Sequence, residues 1–171
     1  MAEPIKTVAV LVANPALSSI LSMTLAGASS LRVRPFDTQL ALMTYLRLAP
    51  ADLVVADFDN IPSRADKLAE DLRHDRIIGA RELQVIALAS ALTPETKMAS
   101  IHAGIDEIIM KPMSPKYLVE RVLARLAKRK ADVPSSQRTD RRSTLRKRDW
   151  SSFGDNVVPL MRRQPQLERP L

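Results

Sequence analysis

The stretch Asp52-Leu53-Val54-Val55-Ala56-Asp57 is a short, β-branched apolar run that ends on a carboxylate. Such a run, bounded by polar residues, reads as a strand buried on both faces. Its last residue, Asp57, then lies at the carboxyl end of a central parallel strand, where open α/β sheets place their ligands and their chemistry. The plainer reading is that Asp57 ends the strand and turns the chain, as short polar residues do. The neighbouring elements decide how much weight the first reading carries.

Those elements alternate in kind. Residues 7–13 form a first apolar strand. Asn14-Pro15 then supplies an N-cap and a first-turn proline for a helix over 15–27. Residues 31–36 alternate Leu, Val and Phe with Arg, Arg and Pro, which suits an edge strand. A second helix runs from Thr38 to Leu48, and the Asp57 strand follows. A polar helix covers 63–76 and carries His74 on a charged face. Residues 85–89 make a further buried strand closed by Ser90. Thr93-Pro94-Glu95 opens a fourth helix that ends at Ala103, next to His102, before Gly104. The strand 105–110 leads to Lys111-Pro112, and Ser114-Pro115 starts a fifth helix with Leu118, Val122, Leu123 and Leu126 as its apolar stripe, ended by Lys128-Arg129-Lys130, where cations suit the helix dipole. Strands alternating with helices in this way predict a parallel sheet covered by helices on both faces.

Composition narrows the chemistry. With no cysteine, the chain can build neither a disulfide framework nor a thiolate metal site, and with two histidines a zinc centre would rest on carboxylates. No apolar run approaches the length of a membrane span, and no signal-peptide pattern opens the chain, so a cytoplasmic protein is expected. Neither GxGxxG nor GxxxxGK[ST] occurs, which argues against a nucleotide site. The net charge of +7 is local. Residues 1–127 hold 14 Lys/Arg and 14 Asp/Glu, whereas 128–171 hold 12 and 5. The basic character belongs to the tail.

Taken in order and with their spacing, Val8–Leu17, Asp52–Asp57, Val85–Ser90, Ala103-Gly104-Ile105-Asp106-Glu107 and Lys111-Pro112 resemble the receiver domain of bacterial response regulators over about residues 5–127. The resemblance implies a flavodoxin-like, doubly wound five-stranded parallel sheet in the order 2-1-3-4-5 with five helices. It also implies two-component or phosphorelay signalling. Carried over by position, Asp57 is the phospho-acceptor and Lys111 its phosphate or carboxylate partner. A carboxylate can act as the nucleophile that forms an aspartyl-phosphate. Mg²⁺ would screen the phosphate through hard oxygen ligands.

Other positions depart from the family pattern. The acidic pair that ends strand one falls on Val12 and Ala13. The strand-four hydroxyl falls on Ala89, with Ser90 one residue later, and the strand-five aromatic falls on Ile108. Asp57 and Asp59 are then weak candidates for Mg²⁺, and no metal or cofactor is expected to bind tightly. Phosphoryl stabilisation is mostly electrostatic and positional, so it weakens too. With less negative charge around Asp57, Lys111 can pair with it permanently. The expectation is a stand-alone pseudo-receiver, not an enzyme. It would act on a protein partner (a histidine kinase, a phosphotransfer protein or another regulator) through the helix-four to helix-five face, with Lys97, Lys116 and Tyr117 at its polar rim. An active acceptor, with Ser90 or Asp59 substituting for lost groups, is the alternative.

Beyond Lys128 the apolar content is too low for a core, so residues 128–171 read as a disordered basic extension with clusters at 138–142 and 146–148. Within it, Trp150, Phe153, Val157, Val158, Leu160 and Met161 form an apolar island that suits a short docking motif. A nucleic-acid or acidic-membrane adaptor working through the tail is the reading from a different class. No helix-turn-helix or RNA-binding signature accompanies it.

Overall fold

A computed structural model describes residues 4–61, 63–131 and 157–159. The strands are β1 (Lys6–Leu11), β2 (Leu31–Phe36), β3 (Leu53–Asp57), β4 (Gln84–Ala89), β5 (Glu107–Met110) and β6 (Val157–Pro159). The helices are α1 (Pro15–Ala26), α2 (Gln39–Leu48), α3 (Ala65–His74), α4 (Pro94–Ala103) and α5 (Pro115–Ala131). They form one sheet in the order β2-β1-β3-β4-β5-β6. The first five strands are parallel, in the expected 2-1-3-4-5 order.

The apolar patterns explain the layers. Every residue of β3 is buried, because helices cover both faces of this central strand. On one face Val54, Ala56 and Ile108 pack with Leu42 and Leu46 of α2 and with Leu68 and Leu72 of α3. On the other face Val8, Val10, Val55 and Ile109 pack with Leu21 and Leu25 of α1 and with Leu118, Val122 and Leu126 of α5. The expected caps form: Asn14 Oδ1 accepts from Leu17 N, and Thr93 Oγ1 accepts from Thr96 N, each at 3.1 Å. Gly104 closes α4 in the left-handed region at φ 75°, a conformation that glycine adopts without steric cost.

The strand expected over 105–110 is Glu107–Met110, and other boundaries differ from the sequence reading as well. The strand expected over 7–13 ends at Leu11, so Val12 and Ala13 lie just past it. The helix expected over 63–76 is Ala65–His74, because the Asp75 carboxylate accepts from Ile77 N and Ile78 N and turns the chain. The fifth helix, expected to end at 128–130, runs to Ala131, so the domain boundary placed at 127 falls inside α5. Lys and Arg favour helix, and cations in a last turn complement its dipole.

A larger difference is in the tail. Val157 and Val158, expected in a disordered extension with a docking motif, belong to β6. This strand pairs antiparallel with β5 in the register Glu107↔Pro159, Ile108↔Val158 and Ile109↔Val157. A strand added to an edge needs backbone pairing, not a core of its own, and tail composition therefore did not reveal it. Trp150, Phe153, Leu160 and Met161 lie outside the described residues.

Candidate functional site

Three loops meet at the carboxyl ends of the central strands. Asp57 is the last residue of β3 and is 6 % exposed. Asp59 lies in the loop that follows, Ser90 directly after β4 and Lys111 directly after β5. The parallel register aligns Asp57 with Leu88 and Ala89 with Met110, which brings these three loop starts side by side.

Lys111 holds the centre. Its Nζ donates to both oxygens of Asp57, at 2.9 and 3.0 Å, and lies 2.9 Å from Asp59 Oδ2. Asp59 N–H donates to Asp57 Oδ1 at 2.9 Å, while Ser90 N–H donates to Asp59 Oδ2 at 2.8 Å. Lys111 N–H donates to Ala89 O at 2.8 Å, which fixes the lysine backbone against the end of β4. The Lys111–Pro112 peptide is cis. Two carboxylates and one ammonium thus form a closed ionic cluster that ties the three loops together.

Each charge suits its neighbours. Partial burial raises the Asp59 carboxyl, but hydrogen bonds from Ser90 and Lys111 outweigh it and hold the group below its usual range. For Lys111 burial lowers the pKa, and the hydrogen bonds and charges of Asp59 and Asp57 reverse that and raise it above the ordinary lysine value. The sign follows by linkage. The Asp59 contribution to stability is present above the unfolded carboxylate value of 3.8 and is lost as pH falls through the lower folded value. The Lys111 contribution is present below 10.5 and is lost as pH rises through the higher folded value. In thermal melts the wild type is therefore expected to exceed Asp59→Asn by a constant margin between about pH 5 and pH 9, and that margin shrinks in acid. A margin that grows below pH 3.8 contradicts the Asp59 assignment.

No family model and no curated protein sequence matches the chain. Solved structures do. A CheY-like response regulator receiver domain protein from Methanospirillum hungatei superposes with a TM-score of 0.65 at 19 % identity, covering 74 % of this chain and 98 % of that one. The receiver domain of a Francisella response regulator gives 0.62 at 20 % identity, covering 73 % and 98 %. The Vibrio cholerae chemotaxis response regulator CheY4 gives 0.62 at 16 % identity, covering 71 % and 98 %. The fold is that of response-regulator receiver domains.

Within this receiver fold Val12, just past β1, is 2 % exposed and packs with the core residues of α1 and α5, while Ala13 beside it is exposed. Neither side chain offers an oxygen. Ala89 and Ile108 are fully buried apolar residues. Ser90 is exposed, and its backbone amide serves Asp59. The donors near Asp57 are thus two carboxylates, both engaged by Lys111. Mg²⁺ rests on one or two carboxylates with water, and here an ion would compete with the Lys111 ammonium for both of them. Among the described residues no three His, Asp or Glu side chains converge as a metal site. His74 is exposed, with Nδ1 2.8 Å from Glu70 O, and His102 is exposed on α4. On the face from α4 to α5, Lys97 and Lys116 are exposed as expected. Tyr117 instead packs partly buried against the α5-side core.

The sequence reading missed a second ionic cluster at the opposite end of β5. Glu107, 1 % exposed, accepts from Arg121 Nε at 2.7 Å and from its second guanidinium nitrogen at 3.1 Å. Arg125 Nε lies 3.5 Å from the same carboxylate. Asp106 accepts from Val85 N–H at 2.8 Å and pairs with Arg73 at 3.1 Å. The signal was present: acids at the start of a buried strand demand cations, and Arg121 and Arg125 lie one helical turn apart. No helix among the described residues is long and apolar enough to cross a membrane.

Proposed function

We propose that this chain is a receiver of two-component or phosphorelay signalling that works as a pseudo-receiver, by protein–protein contact and not by substrate turnover. One observation carries the reading. Lys111 occupies both oxygens of Asp57 and also engages Asp59. Phosphorylation of Asp57 would require a free oxygen lone pair and a cation to screen the incoming phosphoryl charge. Here Lys111 reaches both oxygens, Oδ1 also accepts from Asp59 N–H, Val12 and Ala13 supply no acid for a screening cation, and the nearest spare acid is tied to that same ammonium. Lys111 and the backbone amides of Asp59 and Ser90 bind the two carboxylates together, so the loops after β3, β4 and β5 hold one arrangement without phosphate.

The partner that this reading calls for is a histidine kinase, a phosphotransfer protein or another regulator, met in a bacterial cytoplasm. The face from α4 to α5, with exposed Lys97 and Lys116 at its rim, is the surface for that contact. The test is the intact mass after incubation with a small-molecule phosphodonor and Mg²⁺, beside an Asp57→Ala control. No added mass is expected in either chain. A gain of one phosphate in the wild type that the control lacks overturns the proposal and makes the protein a phosphorylation-gated switch.

A further inference from the structure

The last parallel strand of a sheet presents a row of unpaired backbone groups that invites another strand. In this chain that edge is β5, and residues 157–159 cover it as an antiparallel strand. The occupant is short, and its composition leaves it incomplete. Asp106 N–H donates inward to Val85 O at 2.9 Å. Groups alternate along a strand, so those of Glu107 and Ile109 point outward, toward β6. Their partners are Pro159 and Val157. Proline has no N–H, so the carbonyl of Glu107 lacks its cross-strand donor and Val157 is left as the donor of β6 toward β5.

The pairing of β6 is separable from the rest of the sheet. Twenty-five residues, 132–156, separate the end of α5 from β6 in the sequence, and β5 pairs with β4 on its other side, so the edge keeps its place in the sheet whichever strand covers it.

We infer that the outer edge of β5 is a strand-docking site, held by a weak built-in occupant, Val157–Pro159. It takes in place of that occupant an extended, β-branched segment of a partner protein that carries an N–H opposite Glu107. A foreign strand of this kind makes every bond the tail makes and adds the one that Pro159 cannot. A second copy of this chain carries the same proline and gains nothing over the tail already in place. Recognition by strand addition takes affinity from the backbone and selectivity from alternate side chains. This inference is independent of whether Asp57 accepts phosphate.

The test uses the full chain, its Val157→Pro variant and two labelled peptides of residues 150–161, one with the native sequence and one carrying Pro159→Val. Hydrogen exchange at Glu107 and Ile109 is expected to be at least about tenfold faster in Val157→Pro, which removes the remaining donor. A Val157→Thr variant, which keeps the N–H, is expected to exchange like the wild type and separates lost pairing from lost folding. The Pro159→Val peptide is expected to bind the full chain about fivefold tighter than the native peptide, the worth of one hydrogen bond. Both peptides are expected to bind Val157→Pro more tightly than the wild type, because the competing strand has gone. Equal exchange in wild type and Val157→Pro overturns the built-in occupant. Peptides that bind equally well to both chains, or to neither, overturn the docking site.

Discussion

Replacing Glu107 by Ala is expected to lower stability by about 3–4 kcal/mol, the range for breaking a buried ion pair from one side. Glu107 is 1 % exposed and meets Arg121 through two hydrogen bonds. Both arginine side chains are themselves only 16 % exposed, so removing the carboxylate takes from Arg121 its two-bond acceptor and from Arg125 one of its two acids, while Arg125 keeps Asp106. An arginine stays protonated with or without a partner, so the Arg121 guanidinium cannot relieve the loss by giving up its proton. Glu107→Gln keeps the shape and one carbonyl acceptor and is expected to cost about half as much, since a neutral acceptor makes a weaker bond. Urea denaturation of the three proteins measures the difference. Equal midpoints for wild type and Glu107→Ala would mean that the pair is solvated and contributes nothing.

Lys111→Met is expected to destabilise the fold by about 2–3 kcal/mol, less than a fully buried pair because its side chain is 20 % exposed. For a chain of this size that is a fall of about 5–10 °C in melting temperature. The substitution keeps the apolar stem and removes the ammonium that both Asp57 and Asp59 contact. Two carboxylates would then face each other across the hydrogen bond from Asp59 N–H to Asp57 Oδ1, with Asp57 still 8 % exposed. Like charges at such a site resist joint ionisation. Adding Asp57→Asn to Lys111→Met removes one of the two charges and is expected to recover more than half of the loss. No recovery would show that Lys111 acts through packing and not through charge.

The residues that reported the fold were those whose types repeat with its geometry. The apolar runs ending at Asp57, Ala89 and Met110, and the cap-plus-proline starts at Asn14 and Thr93, each specify a local structure that the tertiary packing keeps. The closeness of Asp57, Asp59, Ser90 and Lys111 followed from placing all four at carboxyl ends of neighbouring parallel strands. Two features escaped. The Glu107–Arg121 pair joins residues 14 apart across a strand–helix junction, and the side chains carry no periodic mark that fixes which cation meets which acid. The pairing of β6 with β5 depends on backbone groups that every residue but proline carries, so three residues in a basic tail gave no compositional sign of it.

The account rests on Lys111 holding Asp57 closed, and amide NMR of the full chain with and without Mg²⁺ and beryllofluoride, a mimic of the bound phosphoryl group, tests it most directly. The prediction is that the resonances of Asp57, Asp59, Ser90 and Lys111 stay in place at millimolar additive, because both oxygens of Asp57 are already taken. Shifts confined to those four residues and their loops, seen in the wild type and lost in Asp57→Asn, would show that the cluster opens to a phosphoryl mimic and would contradict a permanently closed site.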